Sequence, residues 1–94
     1  TIRRAYALFE EARQIAGTGD LDAALAKTEL ALELQPGNPQ FSFWTGVALA
    51  NAGRDEEAMH WFSRSFAAGV AWRELGRRLR DVGLYSGNPE LLER

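Results

Sequence analysis

The sequence predicts an all-α chain of antiparallel helical hairpins. Alanine (15) and leucine (12) dominate its apolar residues, whereas valine, isoleucine and threonine together number nine. Small and unbranched side chains lose little freedom in a helix, and β-branched ones suit strands. The chain also repeats itself. Gly19 and Gly53 lie 34 residues apart, as do Ala24 and Ala58, and Ala12 and Gly46. A fixed period of this size marks a supersecondary unit that stacks on its neighbours. Glycines and prolines fall between the apolar stretches, where helices must stop and turn.

Each element follows from local signals. A first helix covers 2–16 and stops at the Gly17–Gly19 turn. A second covers 20–34, with Asp20 and Asp22 in its first turn, where carboxylates favour the positive end of the helix dipole. Pro36 and Pro39 close that hairpin and open the next. A third helix covers 39–52 and stops at Gly53; a fourth covers 54–68 and again begins with acids, Asp55, Glu56 and Glu57. A fifth covers 71–82 and stops at Gly83. A short last helix over 88–93 is expected to take Asn88 as its cap and Pro89 at its first position. The whole of 1–94 reads as one domain: hairpin 1 over 2–35, hairpin 2 over 39–68, and helix 5 with a C-terminal cap over 70–94. The third unit arrives early, because Gly46 to Gly76 and Gly53 to Gly83 are each 30 residues. The long ending Leu34-Gln35-Pro36-Gly37-Asn38-Pro39 is matched by the shorter Ala67-Ala68-Gly69-Val70.

Composition narrows the chemistry. The chain lacks cysteine, so disulfides and thiolate metal sites are excluded, and its single histidine, His60, excludes any site that needs two imidazoles. No serine or cysteine nucleophile arrangement, phosphate loop or metal set is present. No catalytic, cofactor-binding or metal-ligating residue is therefore assigned, and the chain is expected not to be an enzyme. A net charge of −2 argues against nucleic acid or an anionic membrane as partner. The charge is uneven: 73–80 carries Arg73, Arg77, Arg78 and Arg80 against Glu74 alone. The start at Thr1, without an initiator methionine, reads as a fragment or a processed chain, so compartment is left unassigned.

These strings resemble the tetratricopeptide repeat, whose pattern is a Trp-x2-Leu-Gly-x2-Tyr run, an Ala-x3-Phe pair and a proline. The third unit carries Trp72-x2-Leu75-Gly76-x2-Leu79, and the second carries Gly46-x2-Leu49 and Ala58-x3-Phe62. The first carries Ala12-x2-Ile15, Ala24-x3-Thr28, Ala31 and Pro36. Thr28 stands where the family has an aromatic, Val70 where it has a proline, and the third unit has no full second helix. The resemblance implies a short right-handed solenoid of about two and a half repeats over residues 5–85, and fixes no ligand. Ala5–Arg13, Phe43–Ala50 and Trp72–Leu79 further resemble a bacterial C-terminal region labelled a peptidoglycan-binding domain, which follows an Ntn-hydrolase-like domain.

The first helix of each tetratricopeptide hairpin lines a concave face. The resemblance thus implies a groove of Tyr6, Phe9 and Arg13 from helix 1, Gln40, Phe43, Val47 and Asn51 from helix 3, and Arg73, Arg77 and Arg80 from helix 5. Aromatics would supply area and guanidiniums would grip carboxylates. The partner would be a peptide, a partner protein or a peptidoglycan stem. The bland reading stays open beside it: Tyr6, Phe9 and Phe43 as core, and the arginines as a solvated face paired with Glu74 and Asp81 one turn away. The other function class is a structural accessory that forms a homodimer or packs on an upstream domain through an exposed patch including Trp61 or Tyr85.

Overall fold

A computed structural model of the chain describes residues 2–93; Thr1 and Arg94, the ends of the expected 1–94 span, lie outside the described residues. Among those described there are five α-helices and no strand: α1 (Ile2–Gly17), α2 (Leu21–Leu34), α3 (Pro39–Asn51), α4 (Asp55–Phe66) and α5 (Val70–Asp81). A 3₁₀ turn, Pro89–Leu92, follows. Most expected boundaries move by a single residue, and two elements differ by more. α4 ends at Phe66 rather than 68, where the backbone N–H of Ala67 already bonds back to the carbonyls of Ser63 and Ser65. The last element is a four-residue 3₁₀ helix rather than an α-helix over 88–93. The chain divides into two compact units, Thr1–Phe41 and Ser42–Arg94.

In the first unit α1 packs against α2. The turn between them is closed by the N–H of Gly19 on the carbonyl of Ala16 at 3.0 Å and by the Thr18 hydroxyl on that of Ile15 at 2.6 Å. Asp20 then caps α2, its carboxylate accepting from the N–H of Ala23 at 3.1 Å, which satisfies a donor that has no partner within the helix. Ala5, Phe9, Ala12, Ala24, Thr28, Ala31, Leu32 and Phe41 are buried. The buried Thr28 hydroxyl donates to the carbonyl of Ala24, so a polar side chain sits where the repeat would have an aromatic without leaving a bond unmade. Asn38 caps the start of α3, accepting from the N–H of Gln40 at 2.9 Å, with Pro39 at the first helical position.

The second unit holds the same turn twice. After α3, the N–H of Gly53 reaches the carbonyl of Ala50 (3.0 Å) and that of Arg54 reaches Leu49 (2.9 Å). After α5, Gly83 reaches Arg80 (3.1 Å) and Leu84 reaches Leu79 (2.8 Å). This paired return of N–H groups onto orphan carbonyls needs a left-handed residue, and both glycines have φ of +82°. A second feature also recurs. A Cβ placed on Gly46 would lie 2.6 Å from the ring of Phe62, and one on Gly76 would lie 2.7 Å from the side chain of Leu92. In both cases the large residue follows its glycine by sixteen positions. The 3₁₀ turn therefore does for α5 what the twelve-residue α4 does for α3.

Phe43, Phe62, Tyr85, Leu91 and Leu92 form much of this unit's buried set. Phe43 meets Trp44, Phe62 and Trp72 with ring centroids 5.2, 6.1 and 5.4 Å away. Phe62 stacks on Phe66 at 5.2 Å, with 4° between planes. The segment after α5 is held from several sides. The Asn51 amide donates to the carbonyl of Leu84 (3.3 Å) and accepts from the N–H of Ser86 (2.8 Å). The Tyr85 hydroxyl donates to the carbonyl of Asn88 at 2.7 Å, and Asn88 caps the 3₁₀ turn through the N–H of Glu90.

Candidate functional site

The residues proposed for a groove fall into different environments. In the first unit Tyr6 and Gln40 come together: the Tyr6 hydroxyl donates to Gln40 Oε1 at 3.2 Å and accepts from Asn38 Nδ2 at 3.3 Å. The Tyr6 ring stands edge-on to Phe41, and Phe9 stacks on Phe41 at 4.6 Å. Phe9 is buried, so it fills the core rather than lining a surface. Arg13 is exposed, 3.9 Å from Glu10 one turn before it.

In the second unit Phe43 is 0% exposed and Val47 is buried, so neither offers area to a ligand. Expecting Phe43 on one exposed surface with the arginines is corrected here: its ring is consumed by Trp44, Phe62 and Trp72. Asn51 is exposed but spends both ends of its amide on the backbone of Leu84 and Ser86. Sequence reasoning had no signal for that pairing.

The arginines of α5 do gather, around a carboxylate that the groove reading lacked. Arg73, Arg77 and Arg80 fall at positions i, i+4 and i+7, one stripe of a helix. The Arg73 guanidinium lies over the Phe66 ring at 5.0 Å. Arg77 forks onto Glu93, with Nε to Oε1 at 3.1 Å and Nη2 to Oε2 at 2.7 Å. Its third nitrogen, Nη1, bonds Glu74 at 2.7 Å, the partner expected one turn away. Glu93 could have been found from the repeat: Leu92-Glu93 follows Gly76-Arg77 by the same sixteen residues that separate Phe62 from Gly46.

The titration shifts follow this geometry. The hydrogen bond from Arg77 draws the Glu93 carboxyl below its usual range; desolvation opposes this, and the charges of Arg77, Arg80 and Arg73 add to it. Donating that bond to Glu93 in turn holds Arg77 protonated more firmly, again against some desolvation. Burial, with the charge of Asp55 behind it, pushes the Tyr85 phenol up to about 12.

The remaining candidates are quickly placed. His60 is exposed, its ring edge-on to Trp61. Trp61 is buried, with the Arg64 guanidinium over its ring at 4.9 Å, and Tyr85 is buried too. Neither forms the exposed patch on which the accessory reading leaned. Glu57 is forked by Arg54 at 2.7–3.0 Å. Among the described residues no three His, Cys, Asp or Glu side chains are grouped to hold a metal ion, and no helix is long and apolar enough to cross a membrane. Comparisons with family models, with curated proteins and with solved structures find no match for this chain.

Proposed function

We propose that the chain is a short tetratricopeptide-like array that works as a non-catalytic interaction module and takes an acidic peptide or protein segment at the basic edge of α5. Peptidoglycan stem peptides, which carry carboxylates, belong to that ligand class. The observation that carries the repeat reading is the recurrence of one contact and one turn at the same internal spacing, Gly46 under Phe62 and Gly76 under Leu92, with Gly53 and Gly83 closing the two helices alike. The repeat supplies a rigid helix, and the helix supplies a fixed row of guanidiniums, the side chain best matched to planar carboxylates. Arg80, exposed, continues that row beyond Arg77, and the exposed Arg78 adds a positive charge on the adjoining face of the helix.

The test is co-sedimentation of the purified chain with peptidoglycan, together with titration by an acidic peptide. Binding that weakens with salt and is lost in the double variant Arg78→Glu, Arg80→Glu is expected. Binding unaffected by that variant, or none to either ligand, overturns the proposal. The alternative, a structural accessory to an adjacent hydrolase-like domain, is favoured by one observation: Val82 and Leu84, on either side of Gly83 after α5, are 70% and 64% exposed. Light scattering separates the two readings, because a stable dimer dissociated by Leu84→Glu supports the accessory and a monomer supports the module.

A further inference from the structure

We propose that Glu93 is the built-in occupant of a carboxylate site on α5, formed by Arg77 with Arg73 and Arg80, and that ligands bearing several carboxylates exchange with it. This rests on the interaction-module reading and names the site and the selectivity within it.

The geometry is that of carboxylate recognition. Arg77 presents its Nε–Nη2 edge to Glu93 with both oxygens engaged, at 3.1 and 2.7 Å. Two parallel bonds from one guanidinium read the plane of a carboxylate as well as its charge. Glu74, one turn earlier on α5, takes Nη1 at 2.7 Å and so orients the guanidinium from its far side. The edge that Glu93 uses is thus preset by the helix itself. Arg73 and Arg80 flank it, and the charges of both act on the Glu93 carboxylate.

The occupant can leave without unfolding its segment. Leu91 and Leu92 are 2% and 0% exposed, and Leu92 seats against Gly76. They fix the backbone next to Glu93. The Glu93 side chain itself is 53% exposed, and its rotation into water disturbs neither leucine. A carboxylate tethered in this way competes at an effective concentration on the order of millimolar. A ligand with one carboxylate and weak affinity is therefore screened out. A ligand with neighbouring carboxylates gains Arg73 or Arg80 as well as Arg77, contacts that the single carboxylate of Glu93 cannot make all at once. Glu93 thereby sets a threshold: it weakens every ligand that must displace it by the same factor, and the extra contacts of neighbouring carboxylates are what carry a ligand over it.

The test titrates the full chain with a capped tetraglutamate peptide and with propionate. Glu93→Gln keeps the side chain's shape and removes the competing charge. It is expected to tighten tetraglutamate binding about two- to fivefold, the scale of one exposed ion pair. Arg77→Lys keeps the charge but not the fork, and is expected to weaken binding and to abolish the gain from Glu93→Gln. Propionate should bind more weakly than tetraglutamate to both chains, and its affinity should rise in Glu93→Gln by no more than that of tetraglutamate. Unchanged tetraglutamate affinity in Glu93→Gln, in a chain with native circular dichroism, overturns the exchange. If binding then still depends on Arg78 and Arg80, the module reading stands without it. If no acidic ligand binds either chain, both fall.

Discussion

Replacing Gly46 by alanine sets two physical effects against each other. Alanine in a helix interior gains about 1 kcal/mol over glycine. Against this, the added methyl would lie 2.6, 2.7 and 3.1 Å from three atoms of the Phe62 ring. Those atoms cannot give way easily. Phe62 is fully buried, stacked on Phe66 with 4° between planes, and flanked by Phe43 and Tyr85. Overfilling such a site costs about 1–3 kcal/mol, and the near-parallel stack places this case toward the upper end. The net expectation is a loss of about 1–2 kcal/mol, each kcal/mol lowering Tm by roughly 4–8 °C in a domain of this size. Gly76→Ala is the control at the equivalent position. There only the Leu92 Cδ2 methyl is close, at 2.7 Å, and the next atoms are at 3.7 Å. A terminal methyl can rotate away, so the helix gain cancels the crowding and stability stays within about 0.5 kcal/mol. Urea denaturation followed by circular dichroism measures both, read as a shift in midpoint at constant slope. A double variant with Phe62→Leu should recover part of the loss. If Gly46→Ala stabilises the chain, or if the two alanines behave alike, the view of Phe62 as an immovable neighbour is wrong.

Other perturbations follow from single contacts. Asn51→Ala removes two bonds to the segment after α5 and should cost about 0.5–1.5 kcal/mol, with faster hydrogen exchange at the Ser86 amide. Asp20→Ala deletes the cap of α2 and should cost about 1 kcal/mol, read from the same urea curves. In a Tyr6→Phe background Tyr85 is the sole tyrosine, and ultraviolet difference absorbance should place its ionisation near 12. Since the unfolded phenol ionises at about 10, the neutral form is favoured by the fold. Its contribution to stability is whole below pH ~10 and is lost as pH rises from there through about 12. A tyrosine that ionises at its ordinary value would show the phenol to be open to solvent.

Helix order was legible because its signals are local. Acids at helix starts, glycines at helix ends and the cap Asn88 act within a few residues of the bonds they make, and Asp20, expected in the first turn of α2, sits one position earlier as its cap. What the sequence hid was the meaning of burial. Phe43 carries no mark to distinguish a groove aromatic from a core aromatic; its fate depends on Trp72, 29 positions later. The arginine cluster was visible as a run of charge, but the carboxylate that answers it lies beyond an irregular stretch, and the sixteen-residue spacing that leads to it gains its meaning from the contact of Gly46 with Phe62. The nature of the last element was equally hidden. Asn88-Pro89 announces a helix start, whereas the 3₁₀ form reflects how few residues are needed to bring Leu92 to Gly76.

The meeting of Leu92-Glu93 with Gly76-Arg77 works like a key with two unlike teeth. One tooth is apolar and needs a notch; the next is charged and needs a guanidinium. A slip of one residue in one direction would press the Glu93 carboxylate into an apolar notch, and a slip in the other would leave Leu92 facing the fork. A single residue inserted between Leu92 and Glu93 separates the teeth. Two adjacent residues thus fix the register of a segment that has almost no regular structure of its own.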